Sequence, residues 1–384
     1  MSATPIFDLE KAPPEAASVW RARRIGALIG LAIATAFILA DQNKSPAWHW
    51  PRFNLFLLIP GLYLATAIHE LGHVSAGALV GMDVGAISVG PFAFAKSGKN
   101  WVFHFNRRAW LGGFFRPLTA NPDFQPVDFA WMVAGGPAAS VLLALLCALI
   151  YARSGNGGWD WIGTMFWISW FIVVMSLIPY RAGLIKSDGA RLWQLIRRPE
   201  QTRTWAALLA LQTEDMKGVR PRDWNPRTFA KIVNADISSD EYLACQLMAY
   251  YRRVDEGCDE TALAHLERAL AKSTGRPRAV HYLLFAEAAS ASAEIRKQAP
   301  QARTWLERAR KLSKAEPLEG VEAAIALCEG RYQDALTHWQ AARRRLDRRK
   351  LDSGLVRLAK ERWSDYENTC RSALSLQAIV RARK

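Results

Sequence analysis

Between Asn54 and Val80 the chain reads NLFLLIPGLYLATAIHELGHVSAGALV, a run that is almost wholly apolar. A helix needs roughly 20 such residues to cross the hydrocarbon of a bilayer, so the stretch is expected to be a membrane span. Its apolar character breaks at one place, His69-Glu70-Leu71-Gly72-His73. Two imidazoles at i and i+4 share one helix face and reach one metal ion, and the glutamate beside the first can hold a water there. Ionisable side chains in hydrocarbon are unfavourable by several kcal/mol unless paired or ligated. A metal site is therefore expected, the plainer alternative being a polar cluster that ties neighbouring helices together.

Three further apolar segments suggest spans: Ile25–Ala40, Ala130–Tyr151 and Trp161–Pro179. The first resembles a signal peptide in its charged start, but it lacks a small-x-small cleavage site before Asp41 and is read as retained. Trp48 and Trp50 suit an interfacial aromatic belt, and WMVAGGPAAS in the third segment lets helix backbones approach closely. Basic residues orient the set. Lys11, Arg21, Arg23 and Arg24 precede the first segment, and Lys96, Lys99, Arg107, Arg108 and Arg116 lie between the second and third. The opposite loops hold only Lys44, Arg52 and Arg153. The positive-inside rule then places both termini and the long loop in the cytoplasm, in a bacterial inner (plasma) membrane. The His69/His73 pair falls in the inner-leaflet half of the bilayer.

Within residues 81–129, AISVGPFAFA and WVFHFN flank Ser97-Gly98-Lys99-Asn100, a pattern that predicts a β-hairpin. The hairpin between Ile87 and Phe105 either pairs with an extended substrate as an added strand or forms a membrane-surface loop. His104 reads as a solvent-exposed strand residue, the alternative being an extra polar contact at the site.

The second half of the chain is different in kind. Residues 1–189 carry a net charge of +4 and residues 190–384 one of +11. This predicts a membrane module followed by a soluble one. The expected division is a tail at 1–24, a membrane core at 25–195, a helical connection at 196–239 and a soluble helical domain at 240–384. An internal echo marks the last part. Ala262, Leu266 and Ala269 recur as Ala302, Leu306 and Ala309, shifted by 40, and as Ala335, Trp339 and Ala342, shifted by a further 33. This small/large/small spacing resembles the second helix of a tetratricopeptide repeat, with a plain helical bundle as the alternative. His265, His281 and His338 read as packing or surface residues.

The five cysteines are odd in number and scattered, without a CxxC or a Cys/His cluster, so neither a disulfide framework nor a zinc finger is indicated. The net charge of +15 is explained by membrane topology and anionic lipid. No nucleic-acid motif accompanies it, and no nucleic-acid partner is expected.

Two histidines do not complete a catalytic zinc site, which needs a third protein ligand and an open position. The candidate segment is Ser176–Gly189, after the fourth span. Pro179 ends the helix there, and Gly183 and Gly189 permit the sharp backbone needed to turn a carboxylate back toward the metal. With this segment in hand, the sequence over about residues 54–195 resembles the site-two protease family of intramembrane zinc metalloproteases. That family joins an HExxH span to a later Asp-Gly pair. The resemblance implies a Zn2+ cofactor held by His69, His73 and Asp188, with Glu70 as catalytic base. It further implies hydrolysis of transmembrane protein substrates near the cytoplasmic face. Two positions depart from the family pattern: Ser140 follows Gly136-Pro137-Ala138-Ala139 where asparagine is common, and Ser176 stands where a later asparagine is usual. The expected fold is thus an all-α polytopic membrane protein of about four transmembrane helices, with a small β-hairpin in its cytoplasmic loop and a soluble, tetratricopeptide-like helical domain. The expected partners are the bilayer, a transmembrane protein substrate and a regulatory protein on the helical tail. The alternative function is an inactive protease-like scaffold that recruits partners through that tail.

Overall fold

The computed structural model describes residues 55–97, 100–105, 112–119, 121–153, 160–182, 185–239, 241–313, 318–348 and 352–382. Contacts within the chain gather into two compact units, and the division between them falls after Leu209.

In the first unit a 3-10 turn, Leu55–Leu57, leads into α1, Leu58–Leu79, which holds the HExxH residues. The helix ends where Gly81 takes a positive φ of 81°. The Gly81 and Met82 amides then close on the carbonyls of Ala78 and Gly77, and the last helical acceptors are satisfied. Four antiparallel strands follow: β1 Asp83–Val89, β2 Phe92–Ser97, β3 Asn100–Phe105 and β4 Gly113–Leu118, in the order β3-β2-β1-β4. Ile87 of β1 faces Phe94 on one side and Phe115 on the other. The stretch expected to form a hairpin therefore supplies three strands, β1 to β3, of a four-stranded sheet. The added strand, β4, has no strand on its outer edge among the described residues.

Helix α2, Pro126–Arg153, crosses α1 at closely spaced glycines. A β-carbon at Gly72 would overlap the carbonyl of Gly135, and one at Gly135 that of Gly72. Small residues at this crossing bring the two backbones into contact. Helix α3, Asp160–Leu177, completes an apolar trio with α1 and α2. The two-residue strands β5, Arg181–Ala182, and β6, Ile185–Lys186, then reverse the chain into α4, Asp188–Arg197. The helix α5, Pro199–Met216, follows, and its Trp205 stacks on Phe129 of α2 with ring centres 4.2 Å apart.

Among the described residues α2 alone is long and apolar enough to cross a membrane. Ile25–Ala40 lies outside the described residues, Trp161–Leu177 is shorter, and four spans are not shown among the described residues. In α1 the reason is chemical, because His69, Glu70 and His73 lower its hydropathy. The outward faces remain strongly apolar: Leu142 is 67% exposed and Trp131 65%, with Leu64 and Leu71 of α1 and Val174 of α3 also exposed.

The second unit is helical among the described residues. After a 3-10 turn, Pro221–Asp223, and α6, Pro226–Val233, come three successive helix pairs. They are α7 Tyr242–Asp255 with α8 Asp259–Ala271, α9 Arg278–Glu294 with α10 Ala299–Leu312, and α11 Glu319–Cys328 with α12 Tyr332–Arg348. A long helix, α13, Gly354–Ala382, closes the series. The echoed residues Ala262/Leu266/Ala269, Ala302/Leu306/Ala309 and Ala335/Trp339/Ala342 are all buried, on the second helix of each pair. His265 is buried and bonded to Gln246 at 2.8 Å, while His338 pairs with Glu322 on the surface.

Candidate metal centre

The helical spacing of His69 and His73 puts both rings on the face of α1 that looks toward α2, where each is 6% exposed. Their rings meet edge to face. Room for His73 comes from Gly136 of α2, since any β-carbon there would overlap the imidazole. Each ring is fixed from behind. His73 donates Nδ1–H to the carbonyl of Met132 at 2.9 Å. The Nδ1 of His69 lies 3.0 Å from the hydroxyl of Ser140. Both Nε2 atoms therefore point the same way, 3.3 Å apart.

Asp188 arrives from the far end of α3. Ser187 makes that possible by bonding in three directions. Its hydroxyl donates to the carbonyl of Ile178 at 2.7 Å and accepts from the amides of Tyr180 and Ala190, each at 3.1 Å. It is at once the N-cap of α4 and the clamp that joins α4 to the end of α3. Gly189 sits against the Leu177 carbonyl with no space for a side chain, which accounts for the Asp-Gly pair. Held in this way, the Asp188 carboxylate comes 3.1 Å from His69 Nε2 through Oδ2 and 3.4 Å from His73 Nε2 through Oδ1.

The triangle of donors is spaced for zinc. Ligand atoms about 2.0–2.1 Å from a zinc ion at tetrahedral angles stand about 3.3–3.4 Å from one another. The donor chemistry agrees with the spacing. With its Nδ1 proton committed to Met132, neutral His73 has only a lone pair on Nε2, and it aims that lone pair at a carboxylate and a second imidazole nitrogen. Two imidazole nitrogens and a carboxylate converging in a buried site suit a cation. His69, His73 and Asp188 form such a group among the described residues, and they fit the metal.

Glu70 is 5% exposed and faces a different neighbour. A β-carbon at Gly113, the first residue of β4, would overlap its carboxylate. The next inward ring of β4, Phe115, stacks parallel to His73 at 6.4 Å. The donors, Glu70 and β4 open onto a cavity of about 740 Å3 that is also lined by Tyr180, Arg191 and Trp205. Ser176 lines it too, but its hydroxyl donates to the Val173 carbonyl at 3.2 Å. His104 is exposed on β3 and is not part of the lining.

This arrangement can be compared with known proteins. Residues 57–156 match the model of peptidase family M50, the site-two protease family. The M50 segment contains α1, the sheet and α2, and it stops short of α3 and Asp188. No curated protein and no solved structure matches the chain. Proteins of the M50 family are zinc metalloproteases and are generally membrane-associated. The contributions of Ser140, Gly113 and Gly136 to this site were not foreseen from the sequence. In the sequence Ser140 stands out only as a departure from the family pattern, and no spacing rule links residue 113 to residue 70.

Proposed function

We propose that this chain is an intramembrane zinc metalloendopeptidase that cuts transmembrane protein substrates near the cytoplasmic face. The observation that carries the reading is the donor triangle of His69, His73 and Asp188, spaced for tetrahedral zinc and closed behind by Met132 and Ser140. Zinc bound there supplies a Lewis acid and makes water a competent nucleophile near neutral pH. The protein supplies the rest. Glu70, packed under the Gly113 backbone, takes the proton from the attacking water and returns it to the leaving amine. The outward apolar faces of α1, α2 and α3 fit burial in lipid, with the polar site turned inward.

A substrate helix conceals its amides in its own hydrogen bonds and has to be unwound before cleavage. The strand β4 supports a way to hold the unwound segment. It is an edge strand, and Gly112 to Phe115 line the cavity beside Glu70. An extended substrate added along that edge brings its backbone past the carboxylate. This role falls to β4 rather than to the Ile87–Phe105 hairpin, which is absent from the lining. In the same reading the helix pairs of the second unit form a tetratricopeptide-like platform for a regulatory protein, and the expected four-span topology places both termini in the cytoplasm.

The test is to measure bound zinc in the purified chain and cleavage of a single-span substrate in vesicles, with Glu70→Gln alongside. About one zinc per chain is expected in both. Cleavage should fall by about 100- to 10,000-fold in the variant, the range for loss of a general base. Absence of zinc from the native chain, or undiminished cleavage by Glu70→Gln, rejects the proposal. Of the two departures from the family pattern, Ser140 and Ser176, which favour the scaffold alternative, Ser140 lies 3.0 Å from His69 Nδ1 and so belongs to the proposed site.

A further inference from the structure

The helical unit encloses a second cavity, of about 470 Å3, whose walls come from α7, α9, α11, α12 and α13. Its charged groups do not balance. Glu294 pairs with Arg362 at 2.7 Å, and Glu319 pairs with Arg345. A third carboxylate, Glu287, accepts a hydrogen bond from the Tyr251 hydroxyl at 2.8 Å and another from Tyr250; the one nearby cation among the described residues, Arg362, acts on it from a distance while paired with Glu294. Tyr250, Tyr251 and Tyr282 stand around it in the lining. A carboxylate removed from water is unfavourable unless a cation meets it, and tyrosine rings are themselves favourable neighbours for a cation. The surrounding half of the sequence has a charge of +11, so the excess carboxylate of this cavity stands against a basic background.

The shape narrows the choice of cation. Tyr282, Glu287, Ser290 and Glu294 line the cavity along one face of α9. At 1.5 Å per residue the face is about 18 Å long, the length of roughly five or six residues of extended peptide at about 3.3 Å each. We propose that this groove binds an extended peptide segment of a partner protein and seats one lysine or arginine side chain against Glu287. The Tyr251 hydroxyl orients the carboxylate, and the paired guanidinium of Arg362 sets the far limit of the acidic pocket. The proposal concerns the helical unit alone and stands or falls separately from the metal centre.

A random 12-residue peptide library panned on the full-length protein in detergent micelles tests it, with Glu287→Gln and Tyr282→Ala panned in parallel. Thermal melting checks that each variant folds. Peptides recovered on the native chain should be enriched in lysine or arginine at one position. Synthetic copies should bind Glu287→Gln about tenfold or more weakly, the scale of a lost hydrogen bond to a charged group, and Tyr282→Ala more weakly as well. Recovery of peptides without a basic position, equal binding to folded Glu287→Gln, or no enrichment at all overturns the proposal.

Discussion

The two units of this chain differ in what they expose and in the polar groups they place inside. In the first, His69, Glu70, His73, Ser140, Thr164 and Ser169 are inside, while leucines of α2 such as Leu142, Leu145 and Leu146 face out. In the second, alanine, leucine and tryptophan fill the interior, and the outside carries ion pairs such as Arg303 with Glu329 and Arg310 with Glu322. In the membrane reading proposed above, water surrounds the second unit and the hydrophobic effect organises it. Lipid would surround the first, and because lipid is as apolar as leucine the same effect does not order its helices. There, close contact of small residues and satisfied polar groups specify how helices meet. A methyl group should therefore be most harmful in the first unit, and removal of a large side chain most harmful in the second.

Gly136→Ala gives the sharpest test, because the added methyl would overlap the His73 ring. Zinc affinity should drop by more than about a hundredfold, beyond the 10- to 100-fold typical of lost outer-shell support, with helix content by circular dichroism unchanged. Normal zinc binding would show that the α1–α2 contact is less exacting than its geometry. Trp339→Ala is the counterpart in the second unit. Trp339 is fully buried and stacks on Tyr366 at 5.4 Å. Its loss should destabilise the helical unit by about 3–5 kcal/mol, seen as a lower melting temperature, and leave bound zinc unaltered. If zinc falls with it, the two units are not the independent bodies that this contrast supposes.

A smaller effect probes the support behind the ligands. Ser140→Ala removes the hydroxyl beside His69 Nδ1 and leaves the α1–α2 packing in place. Zinc affinity should fall by about 10- to 100-fold, as for other second ligand-shell changes, which competition with a chelator measures. An unchanged affinity would reduce Ser140 to a packing residue.

These sites differ in how far the sequence disclosed them. His69, Glu70 and His73 were legible because they lie within one helical turn, where 3.6 residues per turn fixes which side chains share a face. The spacing of the alanines in α8, α10 and α12 was legible for the same reason. Asp188 needed more, since 115 residues separate it from His73; Pro179 and Gly189 marked a reversal, and family resemblance supplied the role. The Ser187 N-cap ahead of Asp188 followed a rule that could have been applied. The strand β4 had no such signal. Its sequence, GFFRPL, neither alternates in polarity nor avoids proline, and its position beside Glu70 is set by pairing with β1. The four-span expectation counted α1 as a span, but its His69, Glu70 and His73 lower its hydropathy.

The smallest effect returns to the second unit and to a part-buried carboxyl in its interior. Burial pushes the carboxyl of Glu287 up to about 7 from an ordinary 4.5; the bond from Tyr251 acts against the rise and the nearby Glu294 charge adds to it. A carboxyl whose pKa is raised by folding holds its proton in the folded chain at pH values where the unfolded chain has released it. Below about pH 4.5 both states are protonated and the group contributes nothing to the pH dependence. Between 4.5 and 7 the unfolded state ionises first, so the folded state loses stability as pH rises. Above about 7 the loss is constant, with an upper bound of about 3 kcal/mol that the partial exposure of the site reduces. Glu287→Gln keeps the shape and cannot ionise. Its helical unit should melt close to the native temperature at pH 4 and above it at pH 8, the gap opening between 4.5 and 7. A gap that is the same at both pH values would mean that the Glu287 carboxylate is met by a cation already in place, and the contrast between the two interiors would then be sharper than drawn here.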